Sequence, residues 1–318
     1  MKKARARVFS LIGLVILLFL GPLFLENYYL HLAVLVFIYV MLTSSLRAIY
    51  ISGQLSLGHA AFMAIGAYTS AMLAKHLGWT PWCTMPLGGI AALIGGVLIG
   101  FPFSRLRAIY FSMASLFFGM MVTTLVGLAP ELTGHYTGLQ AIPRLFGFTK
   151  VPYYYFFLVV TLLTLLILYR IEHSRIGMTF KSVSQSYLAA SSRGINEAGI
   201  RILSLGIGTF FAGIAGAGYA HYAGFIAPAT FGLMPSIFLV VYLLAGGKGS
   251  FAGPIVGAAI LYLIPFVMRE FQGYAPFFQA GVLVAVIFVI PEGMISLPSQ
   301  TMSWIGKVRE GRRRSYAS

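Results

Sequence analysis

The stretch FFLVVTLLTLLILY at Phe156–Tyr169 carries no charged residue, and it decides the class of fold. The hydrocarbon core of a bilayer is about 30 Å thick, so a helix needs roughly 20 mostly apolar residues to cross it. A second run of this kind, VFSLIGLVILLFLGPLF, covers Val8–Phe24, and similar runs recur along the chain. The sequence therefore predicts an all-α protein that crosses a membrane many times.

The composition leaves little room for anything else. Of the 318 residues, 59% are hydrophobic and 9% are charged, and the mean hydropathy is +0.88. No soluble domain of ordinary size fits between the apolar runs. With Cys83 as the single cysteine, an intrachain disulfide is excluded and a cysteine-based metal site is implausible. We predict a transmembrane domain over residues 1–298, followed by a basic cytoplasmic tail over residues 299–318.

Ten stretches of the sequence are predicted to cross the membrane. The basic start MKKARAR and the apolar run after it resemble a signal peptide, but that run is long. Because no small-residue cleavage site follows it before Glu26, we expect an uncleaved first helix with its amino end in the cytoplasm. The predicted spans are 8–25, 30–51, 57–76, 82–102, 107–128, 153–170, 201–221, 233–247, 254–269 and 277–296.

The distribution of basic residues supports this topology. With both termini in the cytoplasm, eighteen of the 22 Lys and Arg residues fall on the cytoplasmic side, and the other four are Lys75, Arg144, Lys150 and Arg269. This is the positive-inside bias, which explains the net charge of +15 without a nucleic-acid partner. Ten spans divide into five plus five, so the second half can be inverted relative to the first, as in many transporters.

The sequence Gly53-Gln-Leu-Ser-Leu-Gly-His59 interrupts the apolar pattern between the second and third spans. Glycine allows the backbone to leave the helical conformation. Polar side chains can then form hydrogen bonds with the backbone N–H and C=O groups that lose their partners where a helix breaks in lipid. Gln54, Ser56, Gly58 and His59 are therefore candidates for lining a translocation path. The alternative is a polar turn in which His59 is packed and hydrogen-bonded. No metal site is expected here, because the other histidines are scattered and no carboxylate is near.

The polar, basic segment Arg170–Arg201 is where a membrane protein of this kind can meet a soluble partner. Its apolar residues have the spacing of one face of a single helix, followed by a helix end at Arg193-Gly194 and a cap and first turn at Asn196-Glu197. This helix would either lie on the membrane surface or fit a groove in a partner protein. The apolar face comprises Ile176, Phe180, Val183, Tyr187 and Ala190.

With these residues in view, the chain resembles the M-type permease subunit of branched-chain amino acid ABC importers over roughly residues 30–295. The resemblance rests on GQLSLGHAAFMAIGAY at 53–68, on RLRAIYFSMASLFFG at 105–119, and on a long block from RGINEAG to LLAGGKGSFAGPIVGAA at 193–259. It implies a multi-pass protein of the inner membrane that pairs with a second permease, as a heterodimer. It also implies two cytoplasmic ATPase subunits, a periplasmic substrate-binding protein and contact with membrane lipids.

The resemblance also assigns the 170–201 segment as a cytoplasmic coupling helix. We expect its apolar face to seat in a groove on the ATPase, in the helix-in-groove manner. The chain itself would be no enzyme and would need no cofactor, since Gly246–Ser250 lacks the order of a phosphate-binding loop. The candidate coupling residues are Phe180, Lys181, Val183, Gln185, Tyr187, Arg193, Asn196 and Glu197.

Two other functions remain as alternatives. An ion-coupled carrier or channel usually needs carboxylates inside the membrane, but all seven acidic residues are Glu at span ends, in loops or in the tail. A membrane enzyme would need a catalytic constellation that this sequence lacks. An importer that works by alternating access is favoured, with branched-chain amino acids as substrates. Related permeases that carry urea or short amides are the closest alternative.

Overall fold

A computed structural model describes residues 13, 17–23, 26–106, 109–267 and 281 of the chain. Apart from single turns, this part folds into ten helices, together with one isolated β-bridge between Leu139 and Ile226. The helices are α1 (Asn27–Tyr50), α2 (His59–His76), α3 (Pro81–Phe103), α4 (Ile109–Gly127), α5 (Lys150–Glu172), α6 (Arg175–Gln185), α7 (Tyr187–Ser191), α8 (Glu197–Ala223), α9 (Leu233–Gly247) and α10 (Ala252–Val267).

Six helical segments in the described part are long and apolar enough to cross a membrane. They are α1, α3, α4, α5, α8 and the segment Pro228–Gly247 that contains α9. The prediction of a polytopic α-helical membrane protein is therefore confirmed. Eight predicted spans, from 30–51 to 254–269, coincide with described helices to within a few residues. The spans 8–25 and 277–296 fall largely or wholly outside the described residues, as does the tail, so the count of ten stays a prediction.

Helix α8 lies at the centre of the bundle and packs most extensively against α3, α2 and α1. The contact is close because glycines meet backbone there. A Cβ built on Gly216 would lie 2.0 Å from the carbonyl oxygen of Met63, and one on Gly213 would lie 2.5 Å from the Cβ of Ala92. Small residues that bring backbones together are the usual means of holding helices together in lipid. The small-residue run on α8, residues 212–218, is thus a packing surface.

The basic residues that make contacts in the structure are divided between the two ends of the bundle. At one end, Arg47 binds Glu172, and Arg201 donates a hydrogen bond to the carbonyl oxygen of Ser104. We call this the Arg47 end. At the opposite end, Lys75 and Lys150 donate hydrogen bonds to the carbonyl oxygens of Gln140 and Asn27. This division matches the two predicted sides of the membrane, while the orientation itself stays a prediction.

The Gly-rich segments 53–59 and 247–254 share only a faint sequence similarity that requires a gap, and they lie at the same end of the bundle. Arg47, three residues before the end of α1, donates a hydrogen bond of 2.7 Å to the carbonyl oxygen of Lys248. Residues related by an inverted duplication would lie at opposite ends. The similarity between these two segments therefore gives no support to the inverted arrangement.

Candidate functional site

The predicted interruption between the second and third spans is present. Helix α1 ends at Tyr50, Gly53 has φ of +87°, and α2 begins at His59. Although the segment is irregular, its polar side chains are enclosed: Gln54 is 2% exposed, and Ser56 and His59 are fully buried. A buried, non-helical polar segment inside a membrane protein is tolerated where protein or a water-filled cavity surrounds it.

His59 is held by α1. Its Nε2 atom lies 2.8 Å from the Oγ of Ser45. The hydroxyl of Ser45 in turn donates a hydrogen bond of 2.8 Å to the carbonyl oxygen of Leu42. Because the Ser45 hydroxyl is already used as a donor, Nε2–H of His59 donates to it, and Nδ1 carries the lone pair. Within the described residues, that Nδ1 atom has no hydrogen-bond partner.

Two more polar atoms of this segment are buried without a partner among the described residues. They are the Oε1 atom of Gln54 and the Oγ atom of Ser56. An unsatisfied buried polar group costs about 1–3 kcal/mol, and most buried polar side chains avoid this cost. Three such atoms within six residues mark the segment as a polar site that is not explained by packing alone.

Gly58 has a different role from its polar neighbours. A Cβ built on it would lie 1.9 Å from the carbonyl oxygen of Ser115, so α4 crosses directly against it. On the same side, the hydroxyl of Ser115 accepts a hydrogen bond from the backbone N–H of Leu57. The candidate path residue Gly58 therefore serves the close approach of α4 to the start of α2.

The coupling segment contains two helices where the sequence predicts a single one. Ser186 is extended, with φ of −157°, and separates α6 from α7. Its hydroxyl accepts a hydrogen bond from the N–H of Ala189 and so caps α7. The predicted helix end is confirmed by Gly194, which has φ of +77°. The predicted cap is also confirmed, since Oδ1 of Asn196 accepts a hydrogen bond from Gly199.

Most of the apolar face of this segment is turned toward the permease bundle, although Ile176 is 45% exposed. Phe180 is fully buried, and Val183 is 2% exposed. The expectation that these two residues enter a groove on a partner is therefore corrected, because the chain's own helices already cover them. The physical reason is that an amphipathic helix buries its apolar stripe against the nearest apolar surface, and α6 packs against α5 and α8.

The other candidate coupling residues are more accessible. Lys181, Gln185, Arg193 and Asn196 are exposed, and Tyr187 and Glu197 are partly exposed. Glu197 lies 3.6 Å from Arg201, one turn later in α8. Exposed apolar side chains accompany them: Met178 is 60% exposed and Leu188 is 67% exposed. The surface that the segment offers to a partner thus includes residues outside the predicted stripe, together with Ile176, which is 45% exposed, and Tyr187 from within it.

A buried ion pair at the Arg47 end was missed by the sequence analysis. The guanidinium of Arg47 binds both carboxylate oxygens of Glu172, at 2.9 and 2.8 Å, and both side chains are nearly inaccessible. Lys181 on α6 approaches the same carboxylate at 3.3 Å. A usable signal was present, because acidic residues are scarce and both Arg47 and Glu172 were placed at span ends on one side.

A cleft of about 610 Å³ lies between the interrupted segment and the coupling segment. Gly53 and Leu55 line it from one side, and Lys181, Ser184 and Gln185 line it from the other. The two segments also touch, since a Cβ on Gly53 would lie 3.2 Å from the Cα of Ser184. The structure therefore brings the interrupted segment and the coupling segment together at one end of the bundle.

Comparison with known proteins identifies the family of the chain. Residues 28–291, most of the chain, match the family described as "Branched-chain amino acid transport system / permease component". The chain belongs to this family. Its sequence is 29% identical, over 90% of the chain and 74% of the relative, to the high-affinity branched-chain amino acid transport system permease protein LivM of Escherichia coli K12. It is 23% identical to the permease protein LivH of Salmonella typhimurium, over 82% of the chain and 92% of the relative.

Membership of this family fixes the general role of the chain. It is a permease subunit of an importer and not an enzyme, and ATP hydrolysis belongs to separate subunits. No solved structure matches the chain. In the described part, no group of three or more His, Cys, Asp or Glu residues could hold a metal ion.

Proposed function

We propose that this permease carries branched-chain amino acids across the inner membrane by alternating access, and that ATPase subunits drive it through the α6–α7 segment. Its relatives LivM and LivH are named as permease proteins of branched-chain amino acid systems. The proposed topology has ten crossings with both termini in the cytoplasm, so that the Arg47 end faces the ATPases. An inverted five-plus-five arrangement belongs to the same proposal.

One observation carries the proposed mechanism: the coupling segment is in direct contact with the interrupted segment. Besides the approach of Ser184 to Gly53, the residues next to the two segments are joined, because the hydroxyl of Ser204 on α8 donates a hydrogen bond of 2.7 Å to the hydroxyl of Ser52. A displacement of α6 or of the start of α8 therefore reaches the residues just before Gln54. ATP-driven movement at the surface can in this way change the conformation of a buried polar segment.

Gln54, Ser56 and His59 are proposed to line the translocation path. Their buried atoms without partners are costly in this conformation, and a substrate or water that binds there would repay the cost. Gln54 and Ser56 can bind the ammonium and carboxylate groups of an amino acid, since an amide and a hydroxyl offer both donors and acceptors. Gly58 contributes through backbone geometry.

The partners follow from the same proposal. A second permease subunit completes the membrane unit as a heterodimer, and a periplasmic substrate-binding protein delivers the amino acid at the Lys150 end. Two ATPase subunits bind on the cytoplasmic side. On this chain they contact the exposed residues of the segment, including Met178, Leu188 and Arg193, while Phe180 and Val183 hold α6 on the bundle.

Transport by the reconstituted complex tests the substrate class. The permease, its partner subunits and the binding protein are placed in proteoliposomes, and uptake of labelled leucine, isoleucine, valine and urea is measured with ATP. We expect ATP-dependent uptake of the three amino acids. Uptake of urea or short amides alone would show that the protein carries the alternative class of substrates. Uptake that needs an ion gradient and no ATP would establish an ion-coupled carrier.

A further inference from the structure

The charge cluster at the Arg47 end joins four elements of the bundle. Arg47 lies near the end of α1 and binds the carboxylate of Glu172, which ends α5. The same guanidinium donates a hydrogen bond to the carbonyl oxygen of Lys248, in the turn between α9 and α10. From α6, Lys181 reaches an oxygen of Glu172. The carboxylate is therefore shared by a buried cation and an accessible one.

The two contacts of Glu172 differ in how firmly they are held. Arg47 is 3% exposed, and its planar guanidinium makes a bidentate pair. A buried pair of this geometry stays formed, because separation would leave both charges buried without a partner. In addition, Glu172 lies at the carboxyl end of α5, where the helix dipole disfavours an anion, so it depends on its cations.

Lys181 makes the weaker contact. Its side chain is 46% exposed, and a pair of this kind contributes little and is screened by salt. The contact can therefore be made and broken without unfolding α6, which the buried side chain of Phe180 keeps on the bundle. Glu172 thus has one permanent partner in the bundle and one exchangeable partner on the coupling segment.

We propose that Lys181 is a positioning residue which couples α6 to α1 through the Glu172–Arg47 pair. When α6 moves, Lys181 gains or loses the shared carboxylate, and Glu172 and Arg47 transmit the change to the end of α1. Since α1 leads directly into the interrupted segment, the change reaches Gln54. This inference rests on the proposed function, because it assumes that ATPase subunits move α6. It assigns Lys181 to a contact inside the permease and not to the ATPase surface.

The test uses the complete transporter in proteoliposomes. We expect Lys181→Met to leave co-purification of the ATPase unchanged while lowering substrate-stimulated ATP hydrolysis by about two- to fivefold, the range that a half-exposed ion pair can supply. Lys181→Arg should restore stimulation. Arg175→Met is the matched control, because it removes an exposed charge from the same helix, and it should behave as the wild type. A Glu172→Gln variant should lower stimulation without abolishing it, and adding Lys181→Met to it should have little further effect.

Three results would overturn the inference. Normal stimulation in Lys181→Met would show that the contact with Glu172 has no role in coupling. Loss of ATPase co-purification would instead make Lys181 a docking residue. Independent, additive effects of Lys181→Met and Glu172→Gln would show that they do not act through each other. If the wild-type complex itself showed no substrate-stimulated hydrolysis, the proposed function would fail, which is a separate outcome.

Discussion

At the scale of single residues, the charges of this protein are few and therefore informative. Glu172 is one of seven acidic residues, and its partner Arg47 is the single cation of the long apolar helix α1. The free energy needed to bury two charges exceeds the free energy that an exposed ion pair gains. A buried ion pair is therefore retained where the protein needs its geometry. Here it fixes the relative positions of α1, α5 and the turn at Lys248.

Removing one member of the pair should destabilise the protein. We expect Glu172→Gln to lower the free energy of unfolding by about 3–5 kcal/mol, because Arg47 is left charged and buried. Thermal aggregation of the purified protein in detergent measures the change. Glu26→Gln, at an exposed position, is the control and should be neutral. The double variant Arg47→Met, Glu172→Met should be more stable than Glu172→Gln; an equally unstable double variant would contradict the role of the unpaired charge.

The interrupted segment should show the opposite relation between stability and activity. Because the Oγ of Ser56 is buried and has no partner among the described residues, we expect Ser56→Ala to raise the free energy of unfolding by about 1 kcal/mol. Uptake should nevertheless fall if the hydroxyl serves the substrate, as strained functional sites often trade stability for activity. Ser52→Ala, which removes a paired hydroxyl, is the control and should lower stability. A Ser56→Ala protein with higher stability and full uptake would make Ser56 dispensable.

At the scale of elements, the helices were predictable and their contacts were not. The span predicted over 233–247 coincides with α9, and the polar interruption was placed correctly, because apolar runs and glycine breaks are local features of the sequence. The burial of Phe180 depends on where α5 and α8 lie, which no periodicity encodes. The same spacing fits a helix on lipid, on a partner or on its own bundle.

The extended residue Ser186 shows a second limit of sequence patterns. The apolar spacing continues across it, from Val183 to Tyr187 and Ala190, and predicts one helix. Serine, however, can cap a new helix with its hydroxyl, and this local hydrogen bond competes with helix continuation. Either outcome suits the sequence, and tertiary contacts decide between them.

The two faces of the coupling segment should therefore respond differently to substitution. We expect Leu188→Asp to leave the permease folded and to reduce co-purification of the ATPase at least tenfold, since exposed apolar anchors carry most of the affinity of such interfaces. Phe180→Ala should instead destabilise the permease by about 3–5 kcal/mol, as for other fully buried aromatic side chains. Pull-down of the ATPase and thermal stability, measured on both variants, separate the effects. An intact complex with Leu188→Asp would place the ATPase elsewhere.

At the scale of the whole molecule, the segregation of basic residues predicts orientation. A reporter protein that is active only in the cytoplasm should be active when it is inserted near Lys248. A reporter that is active only in the periplasm should be active when it is inserted within residues 145–149. Both positions lie in connections between helices, and the first insertion follows the exposed Gly249, so that the carbonyl oxygen of Lys248 keeps its contact with Arg47. A cytoplasmic signal from residues 145–149 would reverse the proposed topology. A fusion after Ser318 tests the carboxyl end in the same way.

The backbone contacts around α8 have a consequence for mutational tolerance. Gly66, Gly88, Gly213 and Gly216 lie where a Cβ would meet backbone or a neighbouring methyl group at 2.6 Å or less. A saturation library should accept almost no replacement at these four positions, not even alanine. The exposed residues Ile90, Ile94 and Leu98, on the same stretch of α3 as Gly88, should accept nearly any apolar side chain. Along one helix, positions where the size of the side chain is constrained thus alternate with positions where only hydrophobicity is required.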